Sequence, residues 1–166
     1  DFPPALRMKG IYLAGLQRDR EATEVLARYL ALVPQDAEMR IDHAVALRSI
    51  SEDQAQVELE TVLKSQPQNP RALGNLGNVL LAKGDLEQAA ARLEQTLALN
   101  PRSTIAFFNL GRTRDFQPGD PLIERMQALV GESGLSHDEK VALHFGLSKA
   151  LEDTGDVDES FRHLKA

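Results

Sequence analysis

The stretch from Pro67 to Pro101, PQNPRALGNLGNVLLAKGDLEQAAARLEQTLALNP, most constrains what this chain can become. Leu73, Leu76 and Leu80 recur at spacings of three and four, with Leu81 beside them, which gives a first helix one apolar face. Lys83-Gly84-Asp85 ends it, because glycine supplies a left-handed C-terminal cap and Asp85 can cap the helix that follows. The second helix carries Leu86, Ala89, Ala90, Leu93, Leu97 and Leu99. Asn100-Pro101 closes it, since a residue before proline is pushed away from helical dihedrals. A lone hairpin of this kind cannot bury its apolar face, so it must find neighbours.

Those neighbours are in the sequence. Gly10, Ala44, Gly77 and Gly111 recur at 34, 33 and 34 residues; Ala22, Ala55 and Ala89 at 33 and 34; Pro34, Pro67 and Pro101 at 33 and 34. The one missing residue falls in the turn around Ser49 to Asp53, because Ala44 to Ala55 is eleven where the other two repeats have twelve. A fixed period of this size is the mark of a solenoid, here of stacked antiparallel helix hairpins, an all-α fold. The regular hairpins are expected over about 5–33, 37–66 and 70–100. In the first two, helices are expected over Ala5–Gln17, Glu21–Leu32, Ala37–Ile50 and Glu52–Ser65. A fourth first-helix is expected over Ser103–Arg114. Asp115 to Pro121 then replaces the short turn with a longer, proline-bounded loop, which modifies the hairpin over about 103–131. Ser136-His137-Asp138-Glu139 is a capping-box sequence and starts a further hairpin over about 136–166, cut at Ala166.

The chain resembles the tetratricopeptide repeat on Leu76-Gly77, Leu80, Ala89, Leu93 and Pro101, and on Gly10, Leu13, Ala22, Leu26, Tyr29 and Pro34, a resemblance that implies a right-handed α-solenoid. The family's early Trp is replaced by Leu6, Arg40, Leu73 and Phe107. A narrower resemblance covers GDPLIERMQALV from Gly119 and the run from Leu135 to Ala166, which look like the end of the repeat region in bacterial proteins that join such repeats to a sulfotransferase domain. It implies that a PAPS-dependent domain follows, and that this chain is its non-catalytic front portion. The Gly- and Ser/Thr-rich phosphosulfate turn such a domain needs does not occur between residues 1 and 166.

The repeat family binds extended segments on the face lined by its first helices. The resemblance places Arg7 and Ile11 there in repeat one, and Ile41, Val45 and Arg48 in repeat two. Arg71, Asn75 and Asn78 follow in repeat three, with Phe108, Asn109 and Arg112 in repeat four. Amide side chains carry both a donor and an acceptor for a peptide backbone, and arginine forks suit carboxylates. Asn75, Asn78, Asn109 and Arg112 are therefore expected to hold an extended or acidic peptide. The plainer reading is that the asparagines are solvated and that Arg112 or Arg114 pairs with Asp115. Asp42 interrupts any asparagine ladder.

Other classes are less well served. With net charge −6 and no long basic cluster, nucleic acid is not an expected partner. The absence of cysteine removes disulfides, thiolate zinc sites and thiol nucleophiles together. No apolar run reaches membrane-spanning length and no signal-peptide pattern opens the chain. The expected compartment is the cytoplasm. His137 and His144 are seven apart, not at the i, i+4 spacing that chelates zinc, and His43 and His163 lack ligand-spaced partners. No cofactor, metal or catalytic residue is expected. Two further readings stay open: self-association through Leu147, Leu151, Phe161 and Leu164 as a homodimer, and an enzyme whose site is completed beyond Ala166.

Overall fold

The computed structural model describes residues 2–165. Ala166, the expected last helical residue, lies outside them. Among the described residues there are ten helices and no strand. They are α1 (Pro3–Gly15), α2 (Asp19–Leu32), α3 (Ala37–Leu47), α4 (Glu52–Ser65), α5 (Pro70–Ala82), α6 (Leu86–Leu99), α7 (Thr104–Leu110), α8 (Pro121–Val130), α9 (His137–Asp153) and α10 (Val157–Leu164). The all-α expectation holds. The chain forms two compact units, residues 1–83 and 84–166.

Short polar caps set where most helices begin. Asp36, Ser51, Asn69, Asp85 and Asp156 each accept a hydrogen bond from the backbone N–H three residues on. Ser136 and Glu139 form the reciprocal capping box expected from the sequence. Each such cap contributes about 1 kcal/mol.

In the first unit, each helix from α1 to α5 packs on the next, and the first helices α1, α3 and α5 also touch in succession. The core of α1, α2 and α3 includes Leu6, Leu13, Ala22, Val25, Leu26 and Tyr29, extended by Met39 and Ala46. Helix α3 ends at Leu47 rather than Ile50, and the Ile50 N–H turns to the Leu47 carbonyl three residues back at 2.8 Å, which tightens the chain into the turn. Gly10 is dictated by close approach. A Cβ there would stand 2.4 Å from Leu26 Cδ2 and 2.7 Å from its Cγ. Because Leu26 is fully buried, Gly10→Ala is expected to cost about 1–3 kcal/mol through overpacking. Urea unfolding checks this; an unchanged midpoint means that α1 and α2 can part without loss.

The turn after α1 departs from the glycine rule. Gln17 sits at φ 57, whereas the equivalent turns place Gly84 at φ 81 and Gly155 at φ 88. A side chain in the left-handed region costs about 1–2 kcal/mol. Gln17→Gly should therefore raise stability by about 1 kcal/mol despite glycine's greater chain entropy. A lower melting temperature for the variant would show that the Gln17 side chain contributes more than its backbone loses.

In the second unit, α6 packs on α7, and α9 packs on α7, α8 and α10. Helix α7 stops at Leu110, short of the expected Arg114. The Arg112, Thr113 and Arg114 N–H groups make turn bonds, and Thr113 Oγ1 donates to the Leu110 carbonyl. The early stop lets the loop drive Phe116 into the core beside Phe107, Leu110, Met126, Leu143 and Leu147. Asp153 Oδ2 holds Phe116 by accepting its backbone N–H at 3.1 Å. Gly146 is the small residue where α9 crosses α7: a Cβ there would lie 3.3 Å from the Phe108 backbone.

Candidate functional site

The helix faces expected to bind a partner fall in both units. In the first, Arg7 and Ile11 on α1, Val45 on α3 and Arg48 just after it are exposed. Ile41 is not: at 0% exposure it belongs to the core, because α3 buries that side against its neighbours. Arg7 Nε lies 3.9 Å from Asp36 Oδ2. That carboxylate also caps α3 and accepts the Tyr29 hydroxyl at 2.7 Å. Burial pushes the Asp36 carboxyl up, but Tyr29, the Met39 N–H and Arg7 outweigh it and hold it below the usual range.

Arg71 corrects the carboxylate-clamp expectation. One arm of its guanidinium bonds Glu38, and the other donates to Asp42 Oδ1 at 2.8 Å. Burial opposes its charge, but Asp42 and Glu38 more than compensate and raise its pKa. Both acids sit about one repeat earlier on α3, so the fork is already filled by the protein itself. Asn75 is half-buried and donates to the Arg71 carbonyl at 2.8 Å, a bond along its own helix. Asn78 is half-buried on the same helix.

In the second unit Asn109 is 6% exposed, and Arg112 donates to its Oδ1 at 3.3 Å. It is a buried amide that steadies the end of α7, not a rung of a solvent-facing ladder. Arg112 itself is exposed, and its guanidinium lies 6.0 Å from the centre of the Phe108 ring. Phe108 in turn meets Phe145 of α9 edge to face, with ring centres 6.4 Å apart. Ile105, Val141 and Phe145 are exposed on the same two helices. Phe145 and Val141 were not among the expected contact residues; periodicity marks them only as apolar, and it takes the α7–α9 packing to place Phe145 against Phe108. Neither arginine pairs with Asp115. Arg114 donates to Asp120 Oδ2 at 2.8 Å, while Asp115 lies 3.4 Å from Lys149.

Two of the four self-association residues are corrected. Leu147 and Leu151 are 0% and 5% exposed, buried where α9 meets α7, α8 and α10. Phe161 and Leu164 on α10 are exposed at 56% and 52%.

Histidine placement adds something the sequence spacing hides. His144 on α9 and His163 on α10 meet across their hairpin, Nδ1 to Nδ1 at 2.9 Å. His43 is buried on α3, with Nδ1 3.5 Å from Glu58 Oε1. Among the described residues no three His, Cys, Asp or Glu side chains are grouped to hold a metal ion, and no helix is long and apolar enough to cross a membrane.

Comparison with known proteins places this geometry. The tetratricopeptide repeat family matches residues 52–111. No curated protein sequence matches the chain. Among solved structures, MamA 41-end from Desulfovibrio magneticus RS-1 superposes with a TM-score of 0.72 at 23% identity, covering 99% of this chain and 92% of that one. A crystal structure of MamA gives 0.66 at 17% identity, with 94% and 90% covered. PilF of Pseudomonas aeruginosa gives 0.69 at 17% identity, with 98% and 73% covered. The chain is thus an all-α protein that shares the fold of these structures and carries a tetratricopeptide repeat match at its centre, over residues 52–111.

Proposed function

We propose that this chain is a non-catalytic interaction scaffold that binds an extended protein segment on its first-helix faces. The observation that carries the reading is the group of half-buried Phe108 with exposed Phe145 and Arg112 on the second unit, together with exposed Ile105 and Val141 on the same two helices. Aromatic and arginine side chains supply most of the energy at protein interfaces. Here two rings are already braced against each other, so little rotamer freedom remains to be lost on binding. Arg71 contributes by fixing α5 to α3, not by meeting the ligand, and the preferred segment carries a carboxylate near apolar residues for Arg112.

The test is capture of peptides from an array by the full chain, at low and raised salt. Phe108→Ala and Arg112→Ala should each weaken capture about tenfold, near 1.4 kcal/mol. Arg112→Ala should also remove most of the salt sensitivity. Equal capture by the parent and both variants sinks the proposal.

Two finer readings stand beside it. The run from Gly119 supports a role as the cytoplasmic front module of a sulfotransferase protein, tested by whether the natural coding sequence continues into a strand and a Gly- and Ser/Thr-rich turn. Exposure of Phe161 and Leu164 supports a homodimer, tested by sedimentation against concentration.

A further inference from the structure

Between α9 and α10 lies a recess of about 150 Å3 whose lining contains no acidic side chain. Val141, Phe145 and Leu164 form its apolar walls, and its polar members are His137, Lys140, His144 and His163. This is unusual in a chain of net charge −6. The nearest carboxylates are occupied elsewhere. Glu139 closes the capping box on Ser136, and Glu159 bonds Arg162, reaching only to within 3.9 Å of His163 Nε2.

The histidine pair bears on what the recess accepts. At 2.9 Å, one Nδ1 donates its proton to the other. Glu159 on the far side of His163 favours a proton on Nε2 there, leaving its Nδ1 as the acceptor and His144 as the donor. Burial, then His163 and Lys140, hold the His144 ring below its ordinary pKa. The recess thus presents the Lys140 ammonium with no carboxylate on its wall to pair with it.

We propose that this recess binds a free small carboxylic acid with a short apolar tail, its carboxylate paired with Lys140 and drawing a second proton from solvent onto His144 Nε2, and its tail against Val141, Phe145 and Leu164. The size agrees: an apolar cavity of about 150 Å3 holds a molecule of benzene's size, which leaves room for one branched or aromatic tail. This site goes beyond the peptide-binding reading and does not rest on it: it shares Phe145 and Val141 with that face, but neither Arg112 nor Phe108 lines it.

The test titrates the full chain with 4-methylpentanoate and with its neutral amide, following the histidine ring signals by NMR. The acid should bind at least about tenfold tighter than the amide, a difference of 1.4 kcal/mol. The His144 signals should move, and the His144 pKa should rise, because an anion beside the ring favours a second ring proton and offsets the opposing effect of His163 and Lys140. Lys140→Gln, at an exposed position, should erase the preference for the acid, and His144→Gln should weaken the acid more than the amide. Equal binding of acid and amide, or no movement at His144 and His163, overturns the proposal. So does binding confined to a peptide ending in a free leucine carboxylate, which would assign the recess to a polypeptide terminus. Loss of peptide capture in Phe108→Ala with acid binding intact would leave this site standing by itself.

Discussion

Leu147→Glu is expected to unfold the second unit, not to separate a dimer. Leu147 has no exposed surface and sits among Phe107, Leu110, Met126, Leu143 and Leu151. Truncating such a leucine to alanine already costs about 2–5 kcal/mol. Glutamate adds a carboxyl with no partner, which must either stay protonated or drag water into the core. The sum exceeds about 4–5 kcal/mol, a large share of the stability of a domain this size. Circular dichroism should show lost helix at room temperature, and hydrogen exchange should show unprotected amides across residues 84–166. Leu151→Glu should behave alike. Phe161→Glu, at an exposed position on α10, should change stability by no more than about 0.5 kcal/mol. If Leu147→Glu gives a folded monomer with the parent's melting temperature, the packing described for α9 is wrong.

That contrast explains how far the sequence could be read. The period of 33 to 34 residues was enough for the all-α fold, because three sets of markers repeat together and each hairpin needs a neighbour for its apolar face. The helix starts were legible too, since Asp36, Ser51, Asn69, Asp85, Ser136 and Asp156 stand where a cap must. Burial in the last hairpin was not legible. Leu147, Leu151 and Phe161 look equally apolar, and only the fact that α9 is surrounded by α7, α8 and α10 separates the first two from the third.

The ion pairs were legible in principle. Equivalent positions in consecutive first helices are neighbours, so opposite charges one period apart should meet. Arg71 on α5 and Glu38 on α3 are 33 apart and pair, and Lys149 on α9 meets Asp115, 34 residues earlier in the loop after α7. Scanning the sequence for charges at the repeat period would have withdrawn Arg71 from the list of free binding groups. No such rule could find His144 and His163, which are 19 apart and meet because α10 folds back on α9. Phe116 was hidden for a different reason: it lies in a loop, where neither helical nor strand periodicity predicts burial.

The missing tryptophan of repeat two leads to the other large effect. Arg40 stands in its place, and its Nη1 donates to Glu58 Oε2 at 2.5 Å while Nη2 donates to the Pro34 carbonyl at 2.9 Å. The side chains of Arg40 and Glu58 are only 19% and 20% exposed. Buried His43 adds its Nδ1 at 3.5 Å from the other oxygen of Glu58. Glu58→Ala leaves the Arg40 guanidinium in a largely dry place with only the Pro34 carbonyl as acceptor, and should cost about 2–4 kcal/mol. Arg40→Leu combined with Glu58→Leu removes both charges, and should recover most of that loss or exceed the parent. Urea unfolding of the single and double variants measures the difference as a coupling energy. The pair also has a pH signature. His43, then Arg40, hold the Glu58 carboxyl below the usual carboxylate range against the opposing effect of burial. A depressed folded pKa stabilises the fold above the unfolded value, about 4.3, and that stability is lost as pH falls through the folded one. Acid unfolding of the parent should therefore be steeper below about pH 4.3 than that of the double leucine variant. If the double variant is as unstable as Glu58→Ala, the network does more than replace a buried tryptophan, and its geometry rather than its charge balance holds α3 to α4.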